Sequence, residues 1–185
     1  MTAVDNLWFK ADEARQQAEQ TFHRLREAHD PTLQFEHTRT VSRRRFGTLA
    51  DRIRRDGLPY GAHTLVHRSA GELLLVRHEG VDMWVLPGGE VDEGESLRAG
   101  ARRELREEAG IDADYEGLGI LARVTVRSGD HETWGVLPVF AAAAESTDVA
   151  VRDPDDEISE ARWFRDLPED TRDREEILAW RDRAL

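Results

Sequence analysis

Glu104, Glu107 and Glu108 stand three and four residues apart in the run Arg-Arg-Glu-Leu-Arg-Glu-Glu-Ala-Gly. At about 100° per residue on a helix they fall within one arc of roughly 100°. Like charges at these spacings cost a helix a few tenths of a kcal/mol per pair, and a cation is the simplest compensation. A set of carboxylate oxygens suits a hard ion such as Mg²⁺ or Mn²⁺. Arg103 can orient Glu104 or pair with Glu95 across a loop. The constellation therefore reads as a candidate site for a hard divalent cation.

A helix must present these side chains. Leu97, Ala101, Leu105 and Ala109 recur every four residues and predict one of roughly four turns. Ser96 is placed to cap its N-terminus, and Gly110 to end it in a left-handed conformation. Gly100 lies on the glutamate arc one turn earlier, where it would leave room for a bound group. Upstream, Trp84-Val85-Leu86-Pro87-Gly88-Gly89 predicts a strand entering a turn, with two glycines that let the backbone approach a metal or phosphates closely.

Gly89, Glu95, Arg103, Glu104, Leu105, Glu107, Glu108, Gly110 and Ile111 fit the pattern G-x5-E-x7-R-E-U-x-E-E-x-G-U, U being aliphatic, at every position. This is the Nudix box, and the chain resembles a Nudix hydrolase. The resemblance implies an α/β fold, an α/β/α sandwich with a mixed sheet. It also implies hydrolysis of a pyrophosphate bond in a nucleoside diphosphate linked to another moiety, water attacking phosphorus with Mg²⁺ or Mn²⁺ present. Glu104, Glu107, Glu108 and the Gly88 carbonyl would hold metal; Glu104 would also serve catalysis, with Arg103 and Glu95 in support. Family members often recruit one more acid from a later loop, and among Asp153, Asp155, Asp156, Glu157 and Glu160 the choice here is Glu157. Arg77 or His78 could meet a phosphate, Gly89 the substrate, and Trp134 or Trp84 a base by stacking.

Thr125 and Val126 stand about 16 residues beyond Gly110, where ADP-ribose and dinucleoside polyphosphate enzymes of the family carry proline or tyrosine. No coenzyme A signature precedes the box. Nucleoside triphosphates stay open. The alternative is a Nudix-fold sensor or regulator that binds a nucleotide metabolite without cleaving it. Such proteins usually show an eroded box, whereas every carboxylate is present here.

The 185 residues suffice for one well-cored domain with a small appendage. With no cysteine, disulfides and thiolate zinc sites are excluded. No apolar run approaches membrane-spanning length and the N-terminus lacks a signal-peptide shape, so a cytoplasmic protein without a membrane partner is expected. A net charge of −12 argues against nucleic acid as a partner. Lys10 is the only lysine among 26 basic residues, a halophile-like composition suited to solubility in high salt. Neither a phosphate-binding G-x-x-x-x-G-K-[ST] loop nor a nucleophile elbow occurs.

The acidic surplus lies beyond residue 60, and the Leu58-Pro59-Tyr60-Gly61 punctuation suggests a boundary there. Residues 1–58 are expected as a helical extension and 59–185 as the main domain. Leu7, Ala11, Ala14, Ala18, Phe22 and Leu25 predict one amphipathic helix, and Phe46, Leu49 and Ile53 a second over about 42–56. Such helices must pack on the same chain or across a homodimer. The arginines of the second helix are expected to pair with nearby carboxylates. Strands are predicted at 63–67 and 72–78 around Ser69-Ala70-Gly71, then at 83–86, 118–127, 133–143 and 161–164, with a closing helix at 171–184.

Overall fold

The computed structural model describes residues 6–69 and 71–185; residues 1–5 and Ala70, inside the predicted turn, lie outside the described residues. The elements in order are α1 (Asn6–Ala28), β1 (Leu33–Thr40), α2 (Arg43–Asp56), β2 (Ala62–Arg68), β3 (Glu72–His78), β4 (Met83–Val85), β5 (Gly88–Gly89), α3 (Leu97–Ala109), β6 (Ala113–Ser128), β7 (His131–Ala144), β8 (Ile158–Phe164) and α4 (Arg174–Ala184). The fold is a mixed α/β sheet with four helices among the described residues. The chain divides into two compact units, and the long strands β6 and β7 contribute to both.

The first unit holds Met1–Asp30, Gln34–Tyr60 and Leu121–Leu137. Here α1 lies along α2, bringing the small residues Ala11, Ala14 and Ala18 inside with Phe46, Leu49, Ala50 and Ile53. Small side chains let the two helices approach closely. The predicted apolar stripes of α1 and α2 are thus met within the chain. Ser42 caps α2 by accepting from the Arg45 N–H, and Gly57 ends it at φ +89°. A Cβ at Gly57 would lie 2.4 Å from the Thr21 hydroxyl, so no other residue fits that turn. Arg54 bridges Glu13 and Asp51, and Arg55 pairs with Asp56. The unit also contains the strand β1, which the sequence reading passed over.

The second unit holds Pro31–Leu33, Gly61–Ile120 and Pro138–Leu185. Its strands run in the order β6-β7-β2-β3-β4, with β2 and β7 parallel. One edge of β3 is taken by β8 from Leu73 to His78. The other edge is shared, by β2 at its beginning and by β4 at its end. The strands β2 and β3 therefore part, and the chain from Met83 to Gly89 crosses from one to the other, ending on β2 as β5. The Thr64 N–H seals this crossing by donating to the Pro87 carbonyl at 2.9 Å.

Alternation along β2 gives the sheet two faces. Thr64 points to the α3 face and hydrogen-bonds Tyr115, whose ring lies under Arg98 and Arg102 of α3. His67 points the other way, to Trp180 of α4. With one helix on each face and Leu65, Leu73, Leu74, Leu75, Val76, Leu105 and Ile111 fully buried between them, the unit is the α/β/α sandwich expected.

Candidate active site

The helix α3 is fixed at both ends. The Ser96 hydroxyl accepts from the Ala99 N–H at 3.1 Å, satisfying one of the unpaired donors of the first turn. Gly110 ends it at φ +67°, as predicted. The carbonyls of Glu107 and Ala109 accept from the Arg152 and Ala150 N–H groups at 2.8 Å each, so the loop after β7 is stitched to the helix end. Leu105 and Ala109 point into the core, which forces Glu104, Glu107 and Glu108 towards β5.

Glu108 is 7% exposed and its Oε2 accepts from the Gly88 N–H at 2.8 Å. Burial pushes its carboxyl well above the usual carboxylate range; the Gly88 N–H opposes this, and the charges of Glu104, Asp153 and Glu157 add to it. Burial likewise raises Glu104, with Arg103 pulling the other way and Glu107 and Asp155 adding to the rise. A Cβ at Gly89 would lie 2.8 Å from the Glu104 carboxyl carbon, so a side chain there would displace the Glu104 carboxylate. Gly88, at φ +155°, has no room either: its Cβ would meet the Ala62 carbonyl at 2.5 Å.

Arg103 holds the rim together. Its guanidinium donates to Glu95 (3.2 Å to each oxygen), to Glu104 at 2.8 Å, to Glu107 at 3.4 Å and to the Glu90 carbonyl at 2.9 Å. These partners outweigh burial and raise its proton affinity further. Burial would raise the Glu95 carboxyl, but Arg103 and the Asp92 N–H together hold it below its ordinary value. Both alternatives read for Arg103 thus occur at once.

The later loop arrives at the same place. Asp153 accepts from the N–H groups of Asp155 (3.1 Å), Glu157 (2.7 Å) and Ile158 (2.9 Å), which folds the acidic turn on itself. Asp155 then lies close enough to raise Glu104, and Glu157 close enough to raise Glu108. Glu157 also lies 3.5 Å from Nε2 of His78, the last residue of β3. Sequence reasoning missed this role of Asp153, although Asp-Pro-Asp-Asp carries the signature of a side chain bonding its own downstream backbone.

Other expected residues are placed elsewhere. Arg77 pairs across the sheet with Trp84 and Glu160 and so points to the α4 face, where Asp170 (2.6 Å) and Asp82 engage it. Its neighbour His78 turns to the α3 face, since β3 stays in regular register with β4 there and the extra residue of the irregular β3–β8 pairing, Ser159, lies on β8. Trp134 belongs to the first unit and is 7% exposed, edge-on to Phe22 with the Arg123 guanidinium 3.9 Å from its ring centre. It is core there, the commoner role of a strand tryptophan. Trp84 packs against Phe164. Gly100 does not open space above the glutamates: its Cβ would meet Val91 and Glu95 at 3.1 Å, so it lets the loop before α3 lie against the helix.

Burial chiefly, and neighbouring carboxylates in addition, raise Glu104 and Glu108, and the oxygen-rich cluster is backed by one guanidinium. These donors fit a hard divalent cation.

Comparison with known proteins agrees with this architecture. The family described as NUDIX domain matches residues 57–180. The chain belongs to the Nudix family. It is 35% identical over 91 residues to the "Putative 8-oxo-dGTP diphosphatase" of Bacillus subtilis (strain 168), covering 49% of this chain and 61% of that one. To Nudix hydrolase 10 of Arabidopsis thaliana it is 36% identical over 88 residues, 46% of this chain and 30% of that one. The chain thus spans less than two thirds of the length of these relatives. Among solved structures, a MutT Nudix hydrolase of Burkholderia pseudomallei aligns with a TM-score of 0.51 and 27% identity, covering 68% of this chain and 96% of that one.

Proposed function

We propose that the protein is a divalent-metal-dependent pyrophosphohydrolase acting on a small nucleoside diphosphate derivative. The observation that carries this reading is a buried glutamate, Glu108, set beside Glu104 and Glu107 where the glycine backbone of β5 passes within contact. A carboxylate is not kept in such a place for stability, since burying uncompensated charge costs several kcal/mol.

Glu104, Glu107 and Glu108, with the Gly88 carbonyl, would hold Mg²⁺ or Mn²⁺. When bound, the ion supplies charge neutralisation on the diphosphate oxygens and lowers the pKa of a bound water. The chain's own contribution is orientation and proton transfer. Arg103 and Glu95 fix the Glu104 and Glu107 carboxylates, as outer partners of metal ligands do. Gly88 and Gly89 let the β5 backbone approach the cluster closely. We assign proton acceptance from water to Glu157, because Glu104 is tied to Arg103 whereas the Glu157 side chain is 63% exposed.

No helix among the described residues is long and apolar enough to cross a membrane. The named activity of the Bacillus relative makes an oxidised purine nucleoside triphosphate worth including as a substrate. The test is a chromatographic screen of nucleoside diphosphate derivatives and triphosphates with Mg²⁺, Mn²⁺ or EDTA, in low and high salt. Product that requires metal and disappears in Glu108→Gln is expected. Nucleotide binding with no metal-dependent product would refute the enzymatic reading and favour a sensor.

A further inference from the structure

Glu157 is held at three points, more than an exposed loop carboxylate needs. Its N–H donates to Asp153 at 2.7 Å, and its carbonyl accepts from the Glu79 N–H at 2.9 Å. Its carboxylate lies 3.5 Å from Nε2 of His78. The histidine is itself fixed. The Gly80 N–H donates to His78 Nδ1 at 3.1 Å, so in the neutral ring the proton sits on Nε2, the nitrogen that faces Glu157. The turn 78–80 therefore sets one tautomer of the neutral ring and leaves its N–H on the nitrogen nearest the Glu157 carboxylate, 3.5 Å away. Ser159 adds a further bond to Glu79 across the same junction.

We propose that His78 is a positioning residue: it orients the Glu157 carboxylate over the glutamate cluster, while Asp153 and Glu79 fix the main chain beneath it. The proposal rests on the assignment of Glu157 as proton acceptor. Orientation matters because a general base works only within hydrogen-bond reach of the proton it takes, about 2.6–3.2 Å. A carboxylate on an acidic turn has many rotamers of similar energy, and its repulsion from Glu108 would drive it away from the cluster. A ring N–H borne on a β-strand rather than on the loop restricts it. Adjacent Arg77 cannot do this, because it faces the other side of the sheet.

The test has a spectroscopic arm and a kinetic arm, both on the full chain. Long-range ¹⁵N NMR of the histidine rings reads the pairing without turnover. His78 is expected as the Nε2–H tautomer in the wild type, with its Nε2 resonance displaced in Glu157→Gln. An Nδ1–H ring, or an unmoved resonance, overturns the proposal. In the kinetic arm, His78→Phe is expected to lower kcat by about 10–100-fold, the range for an orienting partner, with KM within about twofold. His78→Gln, which can place an N–H near Nε2, should recover most of the loss. In a Glu157→Gln background His78→Phe should cause no further drop; an equal drop there overturns positioning. If Glu157→Gln turns over normally, the proton-acceptor assignment fails and the proposal with it. If the wild type forms no metal-dependent product, the enzymatic reading fails first, and the NMR arm still reports the pairing.

Discussion

The helices α2 and α3 obey the same local rules and end in different uses. Each begins at a serine whose hydroxyl accepts from the third residue onward, and each ends at a left-handed glycine. Each turns a face of small and branched apolar residues inward. The difference lies in what else is buried. The inward set of α2 is Phe46, Leu49, Ala50 and Ile53, and that of α3 includes Glu108. Fully burying side chains like those of α2 contributes about 1.5–3 kcal/mol each for the larger ones. Burying Glu108 works against folding. Capping and periodicity therefore build a helix, and a single misfit on its inner face shows which helix has been adapted for chemistry.

Substitutions can break this comparison. The largest effect is expected from Glu108→Gln, which should lower turnover on the order of a thousandfold or more, since even an outer partner of a metal ligand is worth ~10–100-fold. Its metal-free thermal stability should not fall, because the amide oxygen can still accept from Gly88 while a buried charge is removed. Marked loss of stability without metal would mean that Glu108 is structural. Next, Glu157→Gln should cost roughly 100-fold or more in kcat, the scale of general-base catalysis. Steady-state kinetics on folded protein decides it.

On the other helix, Phe46→Ala should cost about 3–5 kcal/mol in denaturant unfolding, with kcat per folded molecule unchanged. A proportional fall in kcat would tie α2 to the chemistry. The smallest effects belong to the shared grammar: Ser42→Ala and Ser96→Ala should each cost about 0.5–2 kcal/mol. Similar losses from the two would show that the helices differ only in their inner faces.

The sequence made α3 legible in detail because helix period, cap and glycine stop coincide with the carboxylate spacing. It hid β1, since the inward positions of that strand continue from Leu33 and Phe35 into His37 and Arg39, which mask the period of two. It also shortened β6, whose beginning at Ala113 passes through Gly117 at φ +132°, a residue that reads as a break. The start of β8 at Ile158 was concealed by the acidic residues around it. For the site, the box glutamates and the later loop were legible by type and position. The placing of Arg77 on the α4 face, away from the glutamates, was not, because the face of a strand residue depends on a register that only cross-strand pairing sets.

A divalent-metal site on α3 would bind the ion through Glu108. Titration of Mn²⁺ into the purified wild type and into Glu108→Gln, followed by electron paramagnetic resonance of the free ion with circular dichroism to verify the fold, tests it most directly. Saturable binding by the wild type is expected, weakened by well over tenfold in a folded Glu108→Gln protein. Equal affinity in the two, or no binding by the wild type, would contradict it.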